Sequence, residues 1–342
     1  MTDTAAIRPE ERFDEGRVAA YLIESIEGLS GPIAFEQFPG GKANLTYLAR
    51  DARGTELVLR RPPLGEVAPG SHDMAREYRV LSVLWRAYDK APRALAFCSD
   101  SHVMGKPFFA MERRNGIVVR GAWPFPDADK RKLAAVSLVD AMAELHGVDF
   151  EALGLGDLGK PQGFAERQVR GWTDRWHRAK TRDLEDMDIV AVALQAVPAP
   201  QRAALIHNDI KLDNAMVDSA GEVHSVFDWD MATIGDPLVD LGTAIAYWAD
   251  PEAPTFGVFG ASAAELSPYL SKGDVASRYA SATGLELSAL PFYLALAHFR
   301  IAVIIEQIYA RYLAGQTSDD RFAGLGELVP PLAAAARRSL ED

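Results

Sequence analysis

The stretch Leu205-Ile206-His207-Asn208-Asp209-Ile210-Lys211-Leu212-Asp213-Asn214-Ala215-Met216-Val217-Asp218-Ser219-Ala220-Gly221-Glu222-Val223-His224-Ser225-Val226-Phe227-Asp228-Trp229-Asp230 decides how this 342-residue chain is read. An apolar lead-in, Ala203 to Ile206, delivers His207-x-Asp209, and Asn214 follows five positions after that aspartate. Two strand-like runs come next, Ala215 to Val217 and Val223 to Phe227, separated by the turn-rich Asp218 to Glu222 in the pattern of a hairpin. Antiparallel pairing brings the outer ends of two such strands within about 5 Å, so Asn214 and Asp228 are expected to converge. An amide oxygen and a carboxylate meeting there suit Mg²⁺, a hard ion that takes oxygen ligands and shares them with substrate phosphates. Asp209 is then left to take the proton of an attacking hydroxyl. The alternative is a surface hairpin flanked by solvated carboxylates; fixed residue types at set spacing, with Asp228-Trp229-Asp230 after the second strand, weigh against it.

With these residues in place, the chain resembles the aminoglycoside phosphotransferase and choline kinase family, in His207-Asn208-Asp209 through Asn214 and in Asp228-Trp229-Asp230. It resembles most the kinase-like domains fused to some acyl-CoA dehydrogenases, because Gly40-Gly41-Lys42-Ala43-Asn44-Leu45-Thr46-Tyr47 and Val58-Leu59-Arg60-Arg61-Pro62-Pro63 are similar too. The resemblance covers nearly the whole chain. It implies an α+β, protein-kinase-like fold of two lobes. Residues 1–114 would form a nucleotide-binding lobe of five antiparallel strands plus a helix, and residues 115–342 a mainly helical lobe carrying the catalytic hairpin and the acceptor site. It implies ATP and Mg²⁺ as cofactors and a small-molecule hydroxyl as acceptor. A hydroxyacyl-CoA is one candidate for that acceptor; an aminoglycoside or another amino alcohol or sugar is the other.

Composition is consistent with this and narrows the rivals. A length of 342 residues favours two cores over one. The formal charge of −12 argues against a nucleic-acid partner, while leaving room for a local basic pocket. Cys98, the only cysteine, excludes an internal disulfide and cysteine-rich zinc motifs, and reads as a small buried hydrophobe. No signal peptide is visible at Met1-Thr2-Asp3-Thr4, and the most apolar segment, Leu290 to Leu313, contains His298, Arg300, Glu306, Gln307 and Arg311. No membrane partner is therefore expected, and the cytoplasm is the default location.

Read in order, the chain begins with an amphipathic helix from Asp14 to about Gly28, followed by strands Ile33 to Phe38, Leu45 to Arg50 and Glu56 to Arg61. Gly40 and Gly41 in the first connection, with Asn44 after them, are candidates to approach phosphates through backbone amides, a plain hairpin turn being the alternative. No Walker A loop is present, since Ala43 stands where Ser or Thr is needed. Arg60 occupies the third-strand position where kinases carry a lysine for the α and β phosphates, keeping the charge but offering a planar fork. Glu77, on a helix from Ser71 to about Tyr88, is the expected partner of Arg60. A solvated Arg60 and a solvated Glu77 are the alternatives. Strands Leu95 to Cys98 and Phe108 to Met111 lead to Met111–Gly116, a hinge where the carbonyl of Glu112 and the amide of Arg114 are candidates for adenine.

Beyond Pro126 the pattern is mostly helical: Asp129 to His146, Gln168 to Lys180, a helix opened by Gly235-Asp236-Pro237, then Ser262 to Leu270, Lys272 to Gly284, Leu287 to Leu313 and Leu325 to Ser339. His146 reads as structural, and the resemblance implies that Asp240 braces the catalytic loop. The helix Gln168 to Lys180 holds Trp172 and Trp176 among Arg167, Arg170, Arg175, Arg178 and Lys180. It is either an acceptor surface for phosphate and adenine groups or an ordinary amphipathic helix with buried tryptophans. A protein kinase is disfavoured, because only seven residues separate Asp228 from Asp236 and no Ala-Pro-Glu follows. A nucleotide-binding pseudokinase is the rival outside the enzyme class, and Asp209, Asn214 and Asp228 all being present weighs against it.

Overall fold

The structure, a computed structural model, describes residues 3–39, 44–65, 72–119, 123, 125–248, 270–317 and 320–341. The chain divides into two compact units, Met1–Asn115 with Ser225–Ala232, and Gly116–His224 with Thr233–Asp342.

In the first unit, β1 (Ala34–Gln37), β2 (Leu45–Arg50), β3 (Glu56–Arg61), β4 (Ala94–Cys98) and β5 (Phe108–Glu112) form an antiparallel sheet in the order β1-β2-β3-β5-β4. The β2–β3 turn is set by Asp51, whose Oδ1 accepts from Arg53 N at 2.9 Å and Thr55 N at 2.7 Å while Gly54 takes φ 86°. An aspartate bonding the backbone two and four residues on, next to a glycine at positive φ, is turn chemistry that any sequence carries locally. Helix α1 (Glu15–Ser25) starts at Asp14, which accepts from Arg17 N, and buries Val18 and Leu22 with Tyr47, Leu59 and Phe108. Helix α2 (Met74–Leu84) is capped by Asp73, whose side chain accepts from Ala75 N and Arg76 N. It is shorter at both ends than the apolar periodicity suggests. A four-residue helix, α3 (Ser101–Met104), stands where the sequence reads as a turn, held between the Asp100 cap and Gly105 at φ 82°.

The second unit is mainly helical, with α4 (Ala128–His146), α5 (Phe164–Ala179), α6 (Glu185–Ala193), α7 (Pro237–Tyr247), α8 (Lys272–Thr283), α9 (Leu290–Leu313) and α10 (Val329–Glu341). Helix α6 and a two-stranded sheet of β6 (Ala204–Ile206) with β9 (Thr233–Gly235) are additions to the sequence reading, and Ala215–Val217 (β7) pairs with Val223–Val226 (β8) as the expected hairpin. The expected helix Ser262 to Leu270 lies outside the described residues. Helix α9 is long and apolar enough to cross a membrane, yet 72% of its most apolar window is buried. It packs on α5, α7 and α10. Its buried charges have partners: Glu306 Oε1 accepts from Thr181 N at 2.6 Å and Thr181 Oγ1 at 2.7 Å. That is a core helix, since buried charges persist only where they are paired. Gly242 lets α7 press on α9, for a Cβ there would stand 2.6 Å from the Tyr293 carbonyl oxygen. A five-stranded antiparallel sheet with helices in one unit and a mainly helical second unit make the chain α+β.

Candidate active site

In the second unit, β6 ends at Ile206 and the loop His207–Asn214 follows. Asp240, one turn into α7 and completely buried, receives the backbone N–H of His207 at 2.6 Å on one oxygen and that of Asn208 at 2.7 Å on the other. His146 Nε2 lies 3.2 Å from Asp240 Oδ2, and its Nδ1 lies 2.6 Å from the Tyr279 hydroxyl. Burial pushes the Asp240 carboxyl up, but the hydrogen bond and charge of His146 and the His207 contacts outweigh it and hold the group below its ordinary value. Asn208 sits at φ 71°, and the buried Arg300 of α9 donates to its Oδ1 at 3.2 Å and to its carbonyl at 2.8 Å. The loop is thus clamped from α7 and from α9, so its backbone is fixed independently of any ligand. His207 is buried, and its Nδ1 accepts from Asp209 N at 3.3 Å.

The Asp209 carboxylate emerges from that clamp. Asn214 Nδ2 donates to Asp209 Oδ2 and to the Asp209 carbonyl, each at 2.9 Å. Lys211 Nζ is 2.9 Å from both carboxylate oxygens and 4.9 Å from the centre of the Tyr247 ring. Burial pulls the Lys211 amine down, and Asp209 more than reverses it, leaving the group pushed up to about 12. Lys211 was not singled out in the sequence reading; its place two residues after Asp209, inside the loop, was the available signal.

The first unit assembles a second group. Arg60 on β3 and Glu77 on α2 are both buried, with Arg60 Nε 2.9 Å from Glu77 Oε2, which removes the solvated alternatives for both. Arg60 Nη2 also pairs with Asp228 Oδ1. Asp228 takes the left-handed conformation at φ 72°, and the next residue, Trp229, donates its backbone N–H to Glu77 Oε1 at 3.3 Å. Trp229 is completely buried; its indole donates to Val226 O at 2.8 Å and packs edge-on to Tyr88 at 6.0 Å. Val226 N bonds Lys90 O, and Arg76 Nη2 bonds Ala232 O. These contacts stitch Ser225–Ala232 into the first unit.

Glu77, Asp228 and Asp230 all act on Arg60, whose own burial is outweighed by them, so the guanidinium is held far above its ordinary value. Burial pushes the Glu77 carboxyl up to about 8, with Arg60 opposing and Asp228 and Asp230 adding to the rise.

The remaining predicted residues are placed as follows. Asn44, just ahead of β2, is buried, with Oδ1 2.9 Å from His72 Nδ1. Gly40 and Gly41 lie outside the described residues. Glu112, at the end of β5 and opposite Leu57, donates its N–H to Arg93 O at 2.9 Å, and its carboxylate pairs with Arg114 Nε at 2.6 Å. Arg114 Nη2 donates to Asp89 O at 2.9 Å, so both hinge side chains are tied into the sheet's own loops. On α5, Trp176 is completely buried with its N–H 3.3 Å from Asp188, which removes it as a stacking surface. Trp172 is half-buried, with Arg175 4.5 Å and Arg300 5.5 Å from its ring centre.

Residues 34–271 match the family described as the phosphotransferase enzyme family. Acyl-CoA dehydrogenase family member 11 of Gallus gallus is 31% identical over 344 residues, covering 96% of this chain and 44% of that protein. Family member 10 of Mus musculus is 30% identical over 312 residues, covering 90% of this chain and 29% of that protein. The chain therefore spans less than half the length of these relatives. Among solved structures, a Ralstonia eutropha protein assigned as an aminoglycoside phosphotransferase superposes with a TM-score of 0.83 at 29% identity, over 96% of this chain and 99% of that one. Choline kinase from Cryptosporidium parvum superposes at 0.60 with 13% identity, over 96% and 100% of the two chains, and shows the same protein-kinase-like fold.

Proposed function

The chain belongs to the phosphotransferase enzyme family, a small-molecule phosphotransferase acting on a hydroxyl, and we propose that it transfers the γ-phosphoryl group of MgATP. The observation that carries this is the Asp209 carboxylate, presented by a backbone clamped through Asp240 and Arg300 and oriented by Asn214 and Lys211. Asp209 takes the hydroxyl proton or orients the hydroxyl for attack. Arg60, held by Glu77, meets nucleotide phosphates. Asn214 and Asp228 would each offer an oxygen to Mg²⁺, which would neutralise phosphate charge. An amide oxygen and a carboxylate are donors of the kind such a hard ion takes. Gly40, Gly41 and Asn44 contribute to the phosphate side, and the backbone of Glu112 and Arg114 to adenine. The presence of Asp209, Asn214 and Asp228 together favours an enzyme over the pseudokinase reading.

For the acceptor, the relatives named as acyl-CoA dehydrogenase family members support a hydroxyacyl-CoA. The exposed Arg170, Arg175 and Arg178 of α5 suit its phosphates. An aminoglycoside is the second reading, supported by the Ralstonia eutropha structure. We place the enzyme in the cytoplasm, with no membrane or nucleic acid among its partners. Steady-state ADP release with 4-hydroxyacyl-CoA and with an aminoglycoside, in wild type and in Arg170→Glu/Arg178→Glu, separates the acceptors. The expected result is turnover of the acyl-CoA that weakens on charge reversal; turnover of the aminoglycoside alone, unaffected by the reversal, overturns it.

A further inference from the structure

Among the described residues, three that are not glycine have positive φ: His72, Asn208 and Asp228. Asn208 and Asp228 belong to the loop and the metal-side turn already assigned. His72, at φ 57°, has no such assignment. Asparagine, aspartate and histidine visit this region more readily than other residues with a Cβ, yet the conformation still costs some backbone strain, which persists where surrounding contacts over-determine it and gathers at ligand sites.

What His72 touches gives that strain a purpose. Its Nδ1 is 2.9 Å from Asn44 Oδ1. An amide oxygen only accepts, so Nδ1 carries the hydrogen and the Asn44 carboxamide is locked with its NH₂ turned the other way. Asn44 is 3% exposed, and its Nδ2 is buried without an acceptor among the described residues. Buried amide donors are nearly always satisfied, so one without a partner points to an acceptor that arrives from outside. Asn44 immediately precedes β2, where Leu45 lies opposite Arg61 and Thr46 opposite Arg60, so the orphan donor sits at the same end of the sheet as the phosphate-side arginine. Asp230 Oδ2 is 3.8 Å from His72 Nδ1. Burial, reinforced by Arg60 and opposed by Asp228, holds the imidazole below its ordinary pKa, so near neutrality it serves as a neutral donor.

We propose that His72 is a positioning residue for the nucleotide: through Nδ1 it orients the Asn44 carboxamide so that Nδ2–H donates to a phosphate oxygen. This rests on the phosphotransferase reading above and extends it to a residue that lies outside the catalytic motifs. The ligand class is a nucleoside polyphosphate, recognised here by a neutral amide donor next to the charged Arg60.

The test is calorimetry of the full chain with MgATP and, separately, with adenosine. His72→Gly is the informative variant, because glycine adopts φ 57° without strain and only the side chain is lost. Expected are MgATP affinity about tenfold weaker and adenosine affinity unchanged, with the KM for ATP raised and kcat nearly constant. Asn44→Ala should match it, the double variant should be no worse than either single one, and His72→Asn should recover part of the loss. MgATP binding equal to wild type in His72→Gly, or equal weakening of MgATP and adenosine, would overturn the proposal while leaving the phosphotransferase reading intact. Wild-type protein that binds no ATP would overturn both.

Discussion

The two groups of polar residues, one in each unit, are built on opposite electrostatic plans. Around Asp209 the charged groups are held by partners within the protein: Lys211 meets the carboxylate, Asp240 takes two backbone N–H groups and faces His146, and Arg300 donates to the Asn208 carbonyl. Around Arg60 one guanidinium faces Glu77, Asp228 and Asp230. The first arrangement is complete without a ligand and fixes geometry. The second gathers carboxylates around one buried guanidinium. This is the division expected when a catalytic carboxylate must be held still before substrate arrives, while the other group would meet a nucleotide and the metal ion bound with it.

Variants that break each plan should separate chemistry from binding. Asp209→Asn should lower kcat on the order of 10²-fold or more while MgATP affinity holds, measured by ADP release and calorimetry; unchanged turnover would remove Asp209 from the mechanism. Asp240→Ala leaves two buried N–H groups of the loop without their acceptor. It should cost about 2 kcal/mol in chemical denaturation, with kcat falling alongside. Asp228→Ala should abolish the tightening of ATP binding by Mg²⁺, roughly tenfold or more in affinity. Equal MgATP affinity in wild type and variant would refute the metal assignment. Arg60→Met should raise the KM for ATP, and Arg60→Lys should retain partial activity, since charge survives while the fork that spans Glu77 and Asp228 is lost.

The smallest effect is a pH dependence of the nucleotide-free protein. Glu77 is raised from 4.5 to about 8 by burial, so between those values the folded state holds a proton that the unfolded state has released. Its contribution to stability is full below pH 4.5 and is lost as pH rises through 8. Thermal melts from pH 5 to pH 8.5 should show this decline in wild type and a flatter profile in Glu77→Gln. A wild-type profile no steeper than that of the variant would mean that burial does not raise the Glu77 carboxyl.

Much of this arrangement was legible in the sequence because it is local. The loop and hairpin from His207 to Asp228 and the strands of the first sheet follow from spacing, turn residues and alternation within short windows, while the pairing of Arg60 with Glu77 was implied by the resemblance to kinases. What was not legible depends on long-range packing. Nothing near Phe227 signals that Trp229 buries itself against Glu77 and Tyr88 and carries Ser225–Ala232 into the first unit. Trp172 and Trp176 share a helix and a spacing of four, yet one is half-buried beneath arginines and the other completely enclosed; only the neighbours on α9 and α6 decide which. Likewise His72 precedes a helix as many polar residues do, and its φ and its Asn44 partner exist only in the fold.

The most direct measurement is transfer of label from γ-³²P-ATP to an acceptor by wild-type protein in Mg²⁺, with the acceptor's hydroxyl present or replaced by hydrogen. The account predicts labelled acceptor and stoichiometric ADP only when the hydroxyl is present, and neither when Mg²⁺ is chelated. MgATP binding without label transfer to any hydroxyl offered would contradict it and identify a nucleotide-binding protein that has lost turnover.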